Sequence, residues 1–355
     1  MAKGIGASQI LLPEADRIMY YVGLDAHKQY TTLAVLDARS GNMKLHKRVA
    51  NTAEAFAQAL AGLDGPLHGI VESGRSTWAL HDRVCHLFTS LRICDALDLK
   101  HCRPPRGATT DPRVARDLAE ILASGHAPKP LWVPDADTRI NRTLTRGTIR
   151  LSQAMNRTIN SIRAFCANAG QECPFTSLHG SGAKAWLAEV ELPAEIRAML
   201  DLYLANLAQL EALHKQAMKH IRQRAAADPR AQRLMTIPGV GPFTALCILA
   251  ELGDLHRFTT RRAVVAYAGL GPQVHQSGEH SRTGPLPRTG DRWLRFALVL
   301  AAQHIANSKK LDSPLRRHGW CVALKHGKNP GKIAIARKLV LLAHHLLVHE
   351  EDYAA

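Results

Sequence analysis

Two carboxylates stand where short apolar, β-prone runs end: Asp25 after Tyr20–Leu24, and Glu72 after Leu67–Val71. Acids on neighbouring strand ends can approach closely and bind a hard divalent cation through oxygen. Such a cation holds phosphate oxygens and stabilises charge during phosphoryl transfer. A lone strand-end acid is ordinarily just solvated, so it is the pairing that points to a site. A second constellation lies far downstream, in Gly269–Arg295, GLGPQVHQSGEHSRTGPLPRTGDRWLR. Its Ser-Gly pair, Ser277-Gly278, sits among turn formers, and Arg288, Arg292 and Arg295 follow. A serine oxygen is a nucleophile and guanidinium groups hold phosphate in bidentate fashion, so the stretch suits attack on a phosphodiester. On composition alone, a solvated Gly/Pro loop with ordinary surface charge reads the same way.

The charge distribution separates these readings. The chain has 355 residues and a formal net charge of +16. From His256 to Lys338 there are 16 Lys or Arg against three acids, so +13 of the +16 lies in that stretch. So concentrated an excess points to a polyanion, and nucleic acid fits best. A membrane surface would attract it too, but no basic amphipathic segment with a clean apolar face supports that. The seven cysteines have irregular spacing and no CxxC pair. They form neither a disulfide framework nor a zinc site, and they fit a reducing cytosol. The first residues lack a long apolar core, so no signal peptide is expected. Ile333–Val348 carries Arg337, Lys338, His344 and His345, and reads as a buried helix rather than a membrane span.

The elements that must position these groups follow from periodicity. After a loose leader over 1–18, strands are expected at Tyr20–Leu24, Thr31–Leu36, Lys44–Ala50, Leu67–Val71 and Leu91–Cys94. Helices are expected at Thr52–Leu63, with Thr52 as N-cap, and at Trp78–Phe88. Three strands, a helix, a strand, a helix and a strand suit a mixed sheet flanked by helices, the order of ribonuclease-H-like folds. After a basic Pro/Gly loop, Asp111-Pro112 reads as an N-cap followed by proline at the first helical position, opening a helix to about Ser124. Two long helical patterns follow, Ala136–Ala167 and Ala194–Arg224, the second close to a heptad seam. They read as an antiparallel pair that is either a plain bundle arm or a dimer contact. Thr236–Pro242, TIPGVGP, leads into an apolar helix, Phe243–Leu252. Gly239 and Gly241 there resemble the second half of a helix-hairpin-helix motif, whose amides hold a phosphate. A tight interhelical turn explains them equally well. Lys28 and the run Lys325, Lys328 and Lys332 read as nucleic-acid backbone contacts or as solvated charge.

Several stretches are more specific. YVGLDAHKQYTTLAVLD, GIVESGRSTWALHDRV and TTDPRVARDLAEIL resemble the RuvC-like domain of DEDD-type insertion-sequence transposases, the bridge-RNA-guided (IS-one-ten) recombinases. IPGVGPFTALCILAELGD, AYAGLGPQVHQSG, TGDRWLRFALVLAA and GKIAIARKLVLL are similar to the same family's serine-bearing domain, in the family's order. The resemblance implies a flexible leader (1–18), an α/β RuvC-like domain (19–134), a helical coiled-coil linker (135–228) and a mainly α transposase domain (229–350). It makes Asp25, Glu72 and Asp111 metal-holding catalytic acids, with magnesium as the cofactor. The family's fourth acid falls at Val114, which cannot ligate a cation, and Asp117 on the same helix is the substitute to weigh. Ser277 becomes the nucleophile that forms a phosphoserine link to DNA and frees a 3′ hydroxyl, working with the acids of another subunit. The implied partners are element and target DNA, a guide RNA and further copies of the chain, as a dimer or tetramer, in the bacterial cytoplasm beside the nucleoid. Two other readings stay open: a metal-dependent junction-resolving nuclease in which Ser277 is incidental, and an inactive nucleic-acid-binding relic marked by Val114.

Overall fold

The computed structural model describes residues 19–103, 110–277, 280–287, 289–308 and 312–354, with 274–277 and 280–283 described by their backbone. The 1–18 leader and Arg288 lie outside the described residues. The chain divides into two compact units, one up to Val133 and one from Pro134 onward.

The first unit is built on a five-stranded mixed sheet. Strands β1 (Tyr20–Ala26), β2 (Tyr30–Asp37), β3 (Met43–Ala50), β4 (Leu67–Glu72) and β5 (Ser90–Cys94) lie in the order β3-β2-β1-β4-β5. Strand β1 is central, antiparallel to β2 and parallel to β4. Helix α1 (Ala53–Leu60) starts where expected, Thr52 capping the Ala55 N–H. Helix α2 (Thr77–Val84) continues into a short 3-10 turn. Two further helices close the unit, α3 (Ala96–Cys102) and α4 (Asp111–Ala123). Helix α3 had no expectation behind it; Asp95 caps the Leu97 N–H and starts it ahead of the basic loop.

Strand alternation decides what faces what. Val22, Leu24 and Val71 turn to one face and pack with Phe56, Leu60, Leu80 and Val84. Ile70 turns to the other and packs with Leu99, Val114, Leu118 and Leu122. Gly23, Asp25 and Glu72 share the parity of that second face, on which α4 lies. Gly23 is what lets α4 come close: a Cβ there would clash with the Ala115 carbonyl oxygen and lie 2.7 Å from the Ala119 nitrogen. Both obstacles are backbone and cannot rotate away. Gly23→Ala is therefore expected to cost about 3 kcal/mol, at the upper end for overpacking. It should also push Asp111 away from β1. Chemical denaturation reads the first effect, and an unchanged midpoint would show that the approach is not tight.

The second unit is nearly all helix. Helices α5 (Ala136–Asn168) and α7 (Ala194–Ala227) run antiparallel. Arg224 near the end of α7 reaches Asn141 near the start of α5, and Phe165 meets Tyr203 edge-on at the opposite end. Helix α6 (Ser181–Glu189) closes a small apolar cluster at that end; its first two residues fall in Gly170–Gly182, which reads as polar and turn-rich from the sequence. Helices α8 (Pro229–Met235), α9 (Pro242–Leu252), α10 (Arg261–Tyr267), α11 (Arg292–Asn307), α12 (Pro314–His326) and α13 (Lys328–His349) share the largest core, in which Ile248, Leu298, Ile335 and Leu339 are fully buried or nearly so. Both α5 and α7 pack on α9, so the long pair belongs to this unit. Among the described residues no helix is long and apolar enough to cross a membrane.

The stretch expected to be a flexible loop holds a two-stranded hairpin, β6 (Val274–Ser277) and β7 (His280–Thr283). Ser277 pairs with His280 at its closed end. At its base Gly269 (φ +64°) and Gly290 (φ +91°) pack backbone to backbone, where a Cβ on Gly290 would lie 2.6 Å from the Gly269 Cα.

Candidate active site

Asp25, His27 and Asp111 each present a ligand atom within 4.8 Å of the others. Asp25 lies near the end of β1, with its side chain only 17% exposed. His27 lies in the β1–β2 turn, and its Nε2 is 3.3 Å from Asp25 Oδ2 and 3.1 Å from Asp111 Oδ2. That turn is braced from outside. Asn51 accepts from the Thr31 hydroxyl at 2.6 Å and donates to the His27 carbonyl at 2.8 Å. Asp111 occupies the first position of α4, and Thr110, not Asp111, is the N-cap. This corrects the N-cap expectation. Freed from capping, the Asp111 carboxylate instead accepts from the Tyr30 hydroxyl at 3.1 Å.

Glu72 follows the last β1–β4 register pair, Leu24 with Val71, so it and Asp25 occupy matching ends of adjacent strands. Its backbone is held by Thr77, whose hydroxyl donates to the Glu72 carbonyl at 3.0 Å. Its carboxylate is paired with Arg103 at 2.7 Å and is not among the three clustered groups. Burial pushes the Asp25 carboxyl above its usual range; His27 opposes this, while Asp111 and Glu72 reinforce it. Crowded, partly desolvated carboxylates of this kind fit a divalent cation, since oxygen donors suit such an ion and its charge relieves their repulsion.

Val114 is 9% exposed and turned into the apolar layer with Ile70, Leu118 and Ile121. Asp117 is on another side of α4. It lines an open cavity of about 540 Å³ with Met43, His46, Arg113 and Arg116, and the structure does not bring it to the clustered acids.

In the second unit the arginines divide. Arg295 is committed to the hairpin base, donating to the Pro287 carbonyl at 2.7 Å and the Gly269 carbonyl at 3.2 Å. Arg292 is exposed and stacks 4.5 Å from the Trp293 ring centre. Gly239 adopts φ +89° in the turn between α8 and α9, and Gly241 is the exposed N-cap of α9. Lys28, Lys325 and Lys328 are exposed and Lys332 half-buried, the last three around the α12–α13 corner.

Sequence reasoning passed over His27 although it stands two residues after Asp25, and it passed over Tyr30 and Asn51. The spacing Asp-x-His was a signal for the first; the others act through contacts that no local pattern encodes. It also passed over Glu251. This residue is fully buried on α9 and held by Nε and Nη2 of Arg146, at 2.8 and 2.7 Å, with Arg142 at 3.4 Å.

A mixed sheet in the order β3-β2-β1-β4-β5, carrying acids on the face against which an acid-bearing helix packs, is consistent with a ribonuclease-H-like domain. Two family models match: the DEDD transposase of IS110 type over residues 22–168, and the transposase IS116/IS110/IS902 family over residues 231–316. The chain belongs to the IS110/IS116 family of insertion-sequence transposases. It is 27% identical over 256 residues to a Pseudomonas aeruginosa protein named "Probable family 20 transposase", covering 68% of this chain and 74% of that one. It is 30% identical over 218 residues to the Coxiella burnetii transposase for insertion sequence element IS1111A, covering 58% and 57%. With the Yersinia enterocolitica transposase for insertion sequence element IS1328 it shares 31% identity over 137 residues, covering 38% and 40%.

Proposed function

We propose that this chain cuts and rejoins DNA strands at the ends of an insertion sequence through a covalent serine–DNA intermediate. The observation that carries the reading is the convergence of Asp25, His27 and Asp111 within 4.8 Å, inside the segment that matches the DEDD transposase. In the first step the Ser277 oxygen forms a bond to phosphorus and the bond from phosphorus to the 3′ oxygen breaks. The serine proton passes to a base, and the departing oxygen takes up a proton as a free 3′ hydroxyl. Reversal on a different 3′ hydroxyl joins the new strand and restores the serine. Asp25, Asp111 and Glu72 would hold a divalent cation, magnesium. When bound, that cation neutralises charge on a phosphate oxygen. His27 lies within reach of both aspartates through Nε2 and orients them, and their oxygen donors suit magnesium. For Glu72 to join, its pairing with Arg103 must open.

Gly239, Gly241, Lys28, Lys325, Lys328 and Lys332 supply contacts to the sugar–phosphate backbone, which position a strand without reading its sequence. Arg288 and Arg292 hold phosphates, while Arg295 shapes the hairpin that carries Ser277. A guide RNA supplies sequence choice, and acids of one subunit serve the serine of another in a cytoplasmic dimer or tetramer. One observation favours a second reading: Val114, buried in apolar surroundings at the position of the fourth acid, is what a binding relic would carry.

The test is to incubate the purified chain with its element's junction DNA, guide RNA and magnesium, denature, and look for protein joined to DNA. A covalent adduct that disappears in Ser277→Ala is the expected result. Cleavage without an adduct, indifferent to that change, would replace the proposal with a metal-dependent nuclease, and binding with neither product would leave the relic.

A further inference from the structure

Trp293 opens helix α11, and three guanidinium groups surround it. Arg292 lies 4.5 Å, Arg150 5.6 Å and Arg146 5.8 Å from its ring centre, all within the range of cation–π attraction. The three arginines are not equivalent. Arg146 is neutralised from behind by the buried Glu251, so it props the ring without offering charge. Arg150 and Arg292 are exposed, and no carboxylate among the described residues forms an ion pair with either. Trp293 itself is firmly placed. Asp291 caps α11 by accepting from the Trp293 and Leu294 N–H groups at 2.9 and 2.8 Å, and the Trp293 carbonyl receives the Cys247 thiol. Beside the ring is a recess of about 190 Å³ lined by Ile149, Arg150, Gln153, Arg292, Trp293 and Phe296. That is below the roughly 300 Å³ at which pockets for whole small ligands begin, so it takes part of a larger molecule.

We propose that this recess between α5 and α11 receives one unpaired nucleotide of a bound strand, with its base against Trp293 and Phe296 and its phosphate on Arg150 and Arg292. The inference rests on the reading of this chain as a nucleic-acid enzyme and adds where it grips a strand that is not in a duplex. An aromatic face recessed under two exposed guanidinium groups is available only to a base already out of its stack, because a paired base presents just its edge. Gln153, exposed at the rim, offers an amide donor and acceptor to that edge. The same chemistry serves an unpaired deoxynucleotide or ribonucleotide, and the site commits to neither.

Fluorescence anisotropy with a 12-nucleotide single-stranded DNA, an RNA of the same sequence and the corresponding DNA duplex tests it at fixed salt. Trp293→Leu is expected to weaken binding of one or both single strands about tenfold, in line with about 1–3 kcal/mol per stacked base. Trp293→Phe should recover most of that loss, and duplex binding should stay within about twofold. The single strand that loses more identifies the natural occupant. Arg150→Gln changes an exposed side chain and should lower the single-strand salt slope by about 0.7 while leaving the melting temperature near that of the parent. Equal losses on duplex and single strand, or no loss on either single strand, would overturn the proposal. Failure of the unaltered protein to bind any of the three would instead sink the nucleic-acid reading beneath it.

Discussion

Asp25→Asn is expected to abolish cation-dependent strand cleavage, by at least about 100-fold, the scale lost with one preorganised charge-stabilising group. It should nevertheless leave a protein that is more stable than its parent without metal. The reason lies in the site's electrostatics. Burial first, then Asp111 and Glu72, hold the Asp25 carboxyl above its ordinary range, and His27 only partly offsets them. A carboxyl whose folded pKa is raised opposes folding once it is ionised. The penalty is fully present above the folded pKa and vanishes below the ordinary carboxylate range. Asparagine keeps the shape and the contact with His27 but removes the charge, so the gain appears at neutral pH and fades in acid. Thermal melts with and without magnesium provide the check. The parent should rise on adding the ion, and Asp25→Asn should start higher and not respond. An equal rise in both would place the ion elsewhere.

Glu251→Ala is expected to cost about 3–5 kcal/mol, the usual consequence of removing one partner from a buried ion pair. Glu251 is fully buried, and its two oxygens answer Nε and Nη2 of Arg146, with Arg142 alongside. Desolvation raises the Glu251 carboxyl and Arg146 draws it back, so its ionised form depends on that partner. Without the carboxylate, Arg146 loses its anchor at the junction of α5 and α9. In a unit of this size each kcal/mol is worth roughly 2–4 °C, so the melting temperature should fall by about 10 °C. Glu251→Gln separates charge from shape. It fills the same space yet cannot neutralise two guanidinium groups, so it should lose most of the same stability. A Gln variant melting like the parent would show that packing alone holds the junction.

Much of this protein was legible before its structure. Strand β4 and the start of α1 follow from local alternation and from Thr52 as a cap, both properties of contiguous residues. Asp25 and Glu72 could be placed at strand ends for the same reason. The family stretches then supplied Asp111 and Ser277, and the family comparisons agree with the membership they implied. Where local reading faltered, a tertiary contact had intervened. Gly170–Gly182 reads as turns because it is polar, yet Ser181 already begins α6, whose apolar side is claimed by α5 and α7. The serine stretch reads as a loop because it is rich in Gly and Pro. Two glycines packed against each other and Arg295 bridging two carbonyls close its base, and between them a hairpin forms.

By itself the sequence determined most strands and helices of the first unit, the two long helices of the second, the basic charge concentrated between His256 and Lys338 and the placing of Asp25 and Glu72 at strand ends, because periodicity, charge and residue chemistry are written along the chain. The tertiary structure alone decided which of those groups meet. Pairing of β1 with β4 and the absence of a side chain at Gly23 bring α4 down on the face that carries Asp25, so Asp111 joins Asp25 and His27 while Glu72 is drawn to Arg103. The same packing turns Val114 inward and leaves Asp117 on another side of the helix. Distances between residues far apart in sequence depend on backbone approach and strand register, and no local spacing carries that information.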